Sequence, residues 1–559
     1  MASLKNKSLP FLLSIGLLCS CASHPGRLQA DLILSGATVW TGVPGQAAQE
    51  AIAIRGERIV AVGRDEEIRR YQGPGSTVLE LDGRFVMPGF IDNHAHFISG
   101  GFQMLGIDLR PATDEQDFAD RVRDYASTVP RGTWILNGDW DHEAWPSQAI
   151  PHRKLVDEFT TGHPVFVNRL DGHMALANSL ALKLAGITRH TPDPPGGAIV
   201  RDESGEPTGM LKDAAMGLVE RVIPQASPED RIRAAREAFK EARRLGVTSV
   251  NDMASFEDVR TYQQLLDQDD VTARIYAITP LPDWNRLQQA GIEKNFGGDY
   301  LRIGAVKGYV DGSLGSTTAW FYEPYLDDPG TRGLPAGMWF PEGNMRKLVF
   351  EADAAGLHLA IHAIGDRAND ELLRIYADLE SERGRKDRRM RIEHAQHLSP
   401  AGIQAFGKQR VIASMQPYHA IDDGRWAEKR IGPERIKTTY AFRSLLDDGA
   451  LLTFGSDWSV APLNPLLGVY AAVTRRTLDG KNPGGWVPEE KITVEEALVS
   501  YTRNNAFAMF REQDLGTLEA GKLADLVVLS TNPMLVDPAE IGNIEVQRTI
   551  VGGKTVFEK

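Results

Sequence analysis

Cysteine is almost missing. Of 559 residues only Cys19 and Cys21 are cysteines, and both stand near the N-terminus. The remaining chain therefore has no thiolate zinc site, no thiol nucleophile and no internal disulfide. Long apolar runs are missing too: past the first twenty residues no segment approaches the roughly 18 uninterrupted apolar residues of a membrane span. An excess of basic charge is lacking, since 62 Lys+Arg face 75 Asp+Glu for a net charge of −13. That balance argues against a nucleic-acid binder, which needs a basic face. What remains is ordinary globular material, 42 % hydrophobic and 25 % charged. The length allows three or four units, or one large α/β barrel with appendages.

The N-terminus reads as a targeting segment. Lys5 and Lys7 precede an apolar run from Leu9 to Leu18 that is too short to span a bilayer stably. Leu18-Cys19-Ser20-Cys21 then resembles a bacterial lipoprotein box, with Cys21 as the lipidated first mature residue. Residues 1–21 are thus expected to be a signal peptide. The mature protein is expected to be exported and held by a lipid anchor in the periplasm or at the cell envelope. A plain secretory signal is the alternative, and Ala22 after the cysteine suits an outer membrane.

The mature chain shows β-rich ends around an α/β body. DLILSGATVW, AIAIRGERIVAVG and STVLELDGRFVMPG near the start, and GTLEAGKLADLVVL and VQRTIVGGKTVFE near the end, alternate apolar residues with glycine. They suggest antiparallel strands, with residues 31–86 and 511–559 pairing into one β-sandwich. Between them, helices end at Gly246, Gly356 and Gly449, and each is followed by a short apolar strand. Eight candidate strands recur: FVMPGFIDNHAHF, TSVND, ARIYAI, RIGAVKGYVDG, HLAIHAIGD, RMRIEHAQH, VIASMQP and LLTFGSDW. Eight βα units predict a closed (β/α)₈ barrel over residues 87–510. The stretch from about 109 to 228 breaks the rhythm, which marks an insertion after the first barrel strand, with strands of its own at TWILNGDW and PVFVNRLDGH.

Polar residues fall where these strands stop. His94 and His96 form an HxH pair, and positions i and i+2 of a strand share a face. His362 ends HLAIH, His394 ends RMRIEH and Asp457 ends LLTFGSD. In a barrel those C-terminal ends converge on one mouth, where a shared metal can sit. Lys307 is the odd member, because a lysine inside an apolar strand is costly to bury as a cation. Burial favours the neutral amine, which can add carbon dioxide to become a carbamate; pairing with Asp311, or snorkelling to solvent, is the other outcome.

PGFIDNHAHF, DGHMALANSLAL, KGYVDGSLGSTTAWF, HAIGD, RIEHAQH, GSDW and GTLEAGKLADLVVL together resemble the amidohydrolase superfamily, in particular the branch around N-substituted formamide deformylase. The resemblance implies a metal-binding barrel with a composite β-sandwich. It implies a ligand set of His94, His96, carboxylated Lys307, His362, His394 and Asp457 for one or two divalent ions, zinc foremost. The chemistry that follows is hydrolysis of a non-peptide carbon–nitrogen bond, an amide or N-formyl group, by metal-activated hydroxide, with Asp457 as general base. Ester or lactone hydrolysis, isomerisation or decarboxylation at the same site, or non-catalytic binding of a small ligand, are the alternatives. Trp140, Asp171, His173, Asp311 and His397 are candidates for contacting the substrate, with Trp145, Gly312 and Gly315 nearby in the same motifs. The expected partner is a small molecule, with no nucleic acid and no membrane contact beyond the lipid anchor. Related enzymes often form dimers, so a homodimer is allowed.

Overall fold

The computed structural model describes residues 29–559. The targeting segment and Cys21 lie outside the described residues. Eight strands form the central wall: β1 (Phe90–Ala95), β2 (Val247–Met253), β3 (Arg274–Pro280), β4 (Leu301–Tyr309), β5 (His358–Ala363), β6 (Arg391–His394), β7 (Ile412–Met415) and β8 (Leu451–Phe454). They pair in sequence order, every neighbour parallel. The ring is closed by the residues that follow β8: Asp457 N donates to His94 O at 2.7 Å and His96 N donates to Trp458 O at 2.5 Å. The three glycines expected to end helices all do so with left-handed backbone, Gly246 at φ +76°, Gly356 at +73° and Gly449 at +78°.

Local chemistry sets the elements that carry the mouth. Helix α1 (Phe97–Leu105) starts directly after His96 and packs on helix α2 (Pro228–Arg244). The contact is close: a Cβ on Gly101 would stand 1.9 Å from Ala234 O. In α2 the Ser227 side chain caps Asp230 N, Pro228 occupies the first turn, and Arg243 and Arg244 sit at the C-terminal end, all favourable to a helix.

The two ends of the chain do meet. Phe85–Pro88 pairs antiparallel with Leu526–Leu529 in a five-stranded sheet, and a four-stranded sheet of N-terminal strands packs across it. Leu34, Ile52 and Ile59 from one sheet share a buried cluster with Val86, Leu526, Val528 and Ile550 from the other. Two expectations need correction. The sheets are mixed: Leu32–Ser35 runs parallel to Thr77–Glu80, and Thr38–Val39 parallel to Phe85–Val86. Alternation reveals a half-buried strand but not its direction, and the helical turn Asp65–Tyr71 returns the chain to the starting edge. FVMPGFIDNHAHF is also two strands. Gly89 divides it, lying so close to Thr248 that a Cβ would stand 2.2 Å from Oγ1.

The insertion is a six-stranded sheet in the order Gly197–Arg201, Pro207–Asp213, Met174–Ala177, Val165–Arg169, Ile135–Trp140, Ile107–Asp108. One face buries Phe118, Trp140, Trp145 and Val156; the other buries Phe166, Leu182, Met216 and Val219. Among the described residues no helix is long and apolar enough to cross a membrane.

Candidate metal centre

The site is built on the seam of the barrel. His94 is the penultimate residue of β1, fully buried, and His96 stands immediately before α1. Their Nε2 atoms each lie 3.4 Å from Asp457 Oδ1. His394, the last residue of β6, has a left-handed backbone at φ +74°, as has Asp457, beyond β8, at +58°. Non-glycine residues in that region cost energy and cluster where function demands a fixed aim. One ligand-type atom each from His94, His394 and Asp457 fall within 4.8 Å of one another.

Hydrogen bonds fix which nitrogen each imidazole turns to the centre. Glu393 Oε2 stands 2.6 Å from His94 Nδ1, so the proton sits on Nδ1 and the Nε2 lone pair faces Asp457. Gln416 Oε1 accepts a hydrogen bond from the His394 Nδ1–H at 2.8 Å. Glu393 is itself held by Arg391, at 2.7 and 3.0 Å, and by Ser414 Oγ at 2.7 Å. Asp92 accepts the backbone N–H groups of His94 at 3.0 Å and Ser456 at 3.1 Å, tying β1 to the segment carrying Asp457. Neither Glu393 nor Asp92 was among the sequence candidates. The signal for Glu393 was present, since RMRIEH places Arg391 and Glu393 on one face of a buried strand.

Burial, with Lys307 adding to it, lowers the His94 pKa to about 4, so the ring is neutral and able to ligate. Burial also pushes His394 well below its usual value. For Asp457 burial opposes ionisation, but the surrounding His94, His96 and His394 outweigh it and hold the carboxyl well below the usual range. Burial brings Lys307 down to about 8, against the pull of Glu393 and Asp457. Its Nζ donates to His94 Nε2 at 3.0 Å and lies over the Tyr309 ring; it forms no ion pair with Asp311. The sixth expected ligand, His362, has its ring 4.5 Å from that of His394, but its Nε2 donates to Gly312 O at 3.1 Å, leaving Nδ1 as the lone pair.

A cavity of about 930 Å³ opens over this cluster, lined by His96, Lys307, His394 and Asp457 from the barrel and by Phe166, Asp171, His173, Asp213 and Met216 from the insertion. Asp171 and His173 thus reach the mouth. Asp311 also lines it, but its carboxylate is occupied by the backbone N–H groups of Trp320, Ile364 and Gly365 at 2.7–3.0 Å, a clasp for the loops after β4 and β5. Two candidates are corrected. Trp140 is fully buried in the insertion, its Nε1 donating to Val167 O, and lines no part of the cavity; Trp145 packs beside it and donates to Ala112 O. His397 is buried behind the mouth, with Nδ1 at 2.8 Å from Thr439 Oγ1 and its ring against Phe321. Both are structural because ring type and spacing do not tell which way a side chain faces. Gly315 does belong to the mouth, where a Cβ would collide with the Arg169 guanidinium at 2.1 Å.

The family model described as "Amidohydrolase family" matches residues 77–557. The chain belongs to the amidohydrolase family. At that level it is a metal-dependent hydrolase of carbon–nitrogen bonds. It is 40 % identical to the Arabidopsis thaliana protein LONG AFTER FAR-RED 3, over 95 % of this chain and 92 % of that one. It is 28 % identical to N-substituted formamide deformylase of Arthrobacter pascens, over 95 % and 98 %. Among solved structures, an uncharacterised metal-dependent hydrolase of Pyrococcus horikoshii OT3 superposes with a TM-score of 0.74 at 28 % identity, covering 91 % of this chain and 99 % of that one.

Proposed function

We propose that this amidohydrolase cleaves a small, non-peptide amide, an N-acyl or N-formyl amine, at the His94–Asp457 cluster. One observation carries the reading. Asp457 Oδ1 is buried without a hydrogen-bond partner, yet stands 3.4 Å from two imidazole nitrogens. Ligand bonds of about 2.1 Å at tetrahedral angles separate donor atoms by about 3.4 Å, so His94, His96 and Asp457 suit one divalent cation. Imidazole and carboxylate favour zinc, with manganese, iron, cobalt or nickel also compatible. His394 and His362 suit the remaining positions or a second ion. Such an ion, when bound, supplies Lewis acidity that activates water and polarises a carbonyl.

The chain's own residues orient groups and move protons. Glu393 and Gln416 hold the protons of His94 and His394 away from the centre. Asp457, kept ionised, is the base that accepts a proton and returns it to the leaving nitrogen. Lys307, as the neutral amine, adds carbon dioxide: a nitrogen–carbon bond forms, one proton leaves, and the carbamate presents anionic oxygens in place of the amine now against His94. The name of the Arthrobacter relative supports the N-formyl class, and the cavity volume suits a small molecule.

Purified full-length protein is expected to hold about one to two divalent ions per chain, and chelation to abolish turnover. A panel of N-formyl and N-acyl amines is expected to release free amine. A metal-free chain with full activity, or release of amine from no member of the panel, overturns the proposal. Turnover of esters or lactones alone moves it to carbon–oxygen bonds.

A further inference from the structure

Where the insertion meets helix α1, the cavity wall carries a polar patch that the metal cluster does not use. The insertion strands Ile135–Trp140 and Val165–Arg169 run parallel, with Phe166 opposite Leu136 and Asn168 opposite Gly138. Asn168 is the one residue of Val165–Arg169 that is not buried, and it lines the cavity. Its amide has a fixed orientation. Nδ2 donates to Asp139 Oδ1 at 2.6 Å and to Arg169 O at 3.1 Å, which uses both N–H groups. Turning the amide over would set its oxygen against those two acceptors. Oδ1 is therefore the atom left over, and it has no protein donor among the described residues.

Asp139 lines the cavity beside it and accepts from the Gln103 amide on its other oxygen. Gln103 stands on α1 two turns beyond His96, about 10 Å along the helix axis, so the patch is remote from the metal cluster. Asp139 is only 2 % exposed, yet among the described residues no lysine or arginine pairs with it. Arg110 acts on it from a distance, but its guanidinium is spent on Ser459 O and Val460 O at 2.8 and 2.6 Å. Burial outweighs that pull and raises the Asp139 pKa to about 6. Buried carboxylates are ordinarily matched by a cation. The backbone is strained as well, with φ +68° at Asn137 and +52° at Asp139. Packing α1 on the insertion does not call for an unmatched charge, since a pair of neutral amides would join the two surfaces at less cost.

We propose that Asp139 and Asn168 form a specificity subsite for an ammonium group at the far end of the substrate, so that the preferred substrate is a monoacylated diamine. The inference rests on the proposed function in taking the bond cleaved at the metal cluster to be an amide. An ionised Asp139 and the Asn168 carbonyl only accept, so a group bound between them must bring the N–H donors. An ammonium brings three, together with the counter-charge that the buried carboxylate lacks. Leu136 and Phe166, paired in register on the same cavity wall, suit the methylene chain that joins the two nitrogens.

The test uses the metal-loaded full chain and matched pairs of substrates: N-formyl- or N-acetyl-α,ω-diaminoalkanes against the corresponding alkylamides of equal chain length, which end on a methyl group instead of an ammonium. At the chain length that reaches the patch, the amine-ended member is expected to have a kcat/KM about tenfold or more above its partner, chiefly through KM. Asn168→Leu and Asp139→Asn are each expected to cut that ratio about tenfold, with metal content intact. A second readout needs no turnover. By calorimetry, the free α,ω-diaminoalkane of that length is expected to bind wild type about tenfold or more tightly than either variant. Equal kcat/KM within the pairs at every chain length, or a preference of unchanged size in both variants, overturns the proposal. The wild-type comparison decides even if one variant fails to fold. If the wild type cleaves no amide but diamine affinity falls in the variants, the hydrolytic reading fails and the subsite stands. If amides are cleaved without preference and diamine affinity is equal in all three proteins, the hydrolytic reading stands and the subsite fails.

Discussion

Glu393 shows how one side chain without any ligand role can govern the centre. It is fully buried and accepts from Arg391, His94 and Ser414 at once. A glutamine there keeps the shape but turns an amide donor toward Arg391 or His94. Glu393→Gln is expected to lower metal affinity about 10–100-fold, read by competition with a chromogenic chelator. It is also expected to destabilise the fold by about 3–5 kcal/mol by stranding Arg391, read by denaturant unfolding. Although burial opposes ionisation of Glu393, Arg391 and His94 hold its carboxyl well below the usual range. Its stabilising contribution is therefore present above the unfolded pKa of about 4.3 and is lost only as the pH falls toward the folded value. The variant's acid unfolding is expected to be correspondingly shallower.

Lys307 runs in the other direction. With its pKa lowered to about 8 by burial, the folded chain binds this proton less tightly than the unfolded chain does. The destabilisation is full below about pH 8 and lifts as the pH rises toward the unfolded value of about 10.4. Because only the neutral amine adds carbon dioxide, bicarbonate is expected to speed reloading of the chelator-stripped protein with metal more at about pH 8.5 than at about pH 7. Lys307→Met is expected to abolish that bicarbonate effect, followed by recovery of activity. An equal rate with and without bicarbonate at both pH values counts against the carbamate.

At the scale of elements, the join between β1 and the segment after β8 carries the geometry. A Cβ on Gly455 would stand 2.5 Å from His94 N and 2.8 Å from Asp92 Oδ1. Gly455→Ala is therefore expected to force this segment off β1 and separate Asp457 from His94. Metal binding is expected to weaken while the helices keep their circular dichroism, with a lower melting temperature from a strain of about 1–3 kcal/mol. The elements themselves were largely legible: each apolar run that stops at His94, His362, His394 or Asp457 is a barrel strand or its end. What the letters hide is facing and partnership. His173 and Asp213 are 40 residues apart and meet only through strand register. The exact aim of His394 depends on a left-handed backbone that no residue type there announces.

For the whole molecule, the C-terminal strands are part of the barrel's support. Arg274 at the start of β3 makes a buried two-point contact with Asp525, at 2.7 and 2.9 Å, and Leu526–Leu529 covers Phe85–Pro88. A chain ending at Asp514 is expected to leave Arg274 unpaired and an apolar sheet face bare. Its soluble yield is expected to collapse relative to the full chain, as judged by expression and size exclusion. The barrel, the sandwich and the insertion could be read from periodicity because each imposes its own repeat on the sequence. Strand direction in the sandwich could not, since parallel and antiparallel neighbours show the same alternation.

The closure of the ring by hydrogen bonds between the His94–His96 and Asp457–Trp458 segments has a consequence for the order of events in synthesis. The first and the last stave of the barrel each supply part of the proposed ligand set, and more than 350 residues separate them in the chain. A growing polypeptide cannot assemble this pocket until nearly all of it has left the ribosome, so a half-made chain has no means of trapping a cation in the finished geometry. Capture of the metal then doubles as a report that the two ends of the wall have been joined.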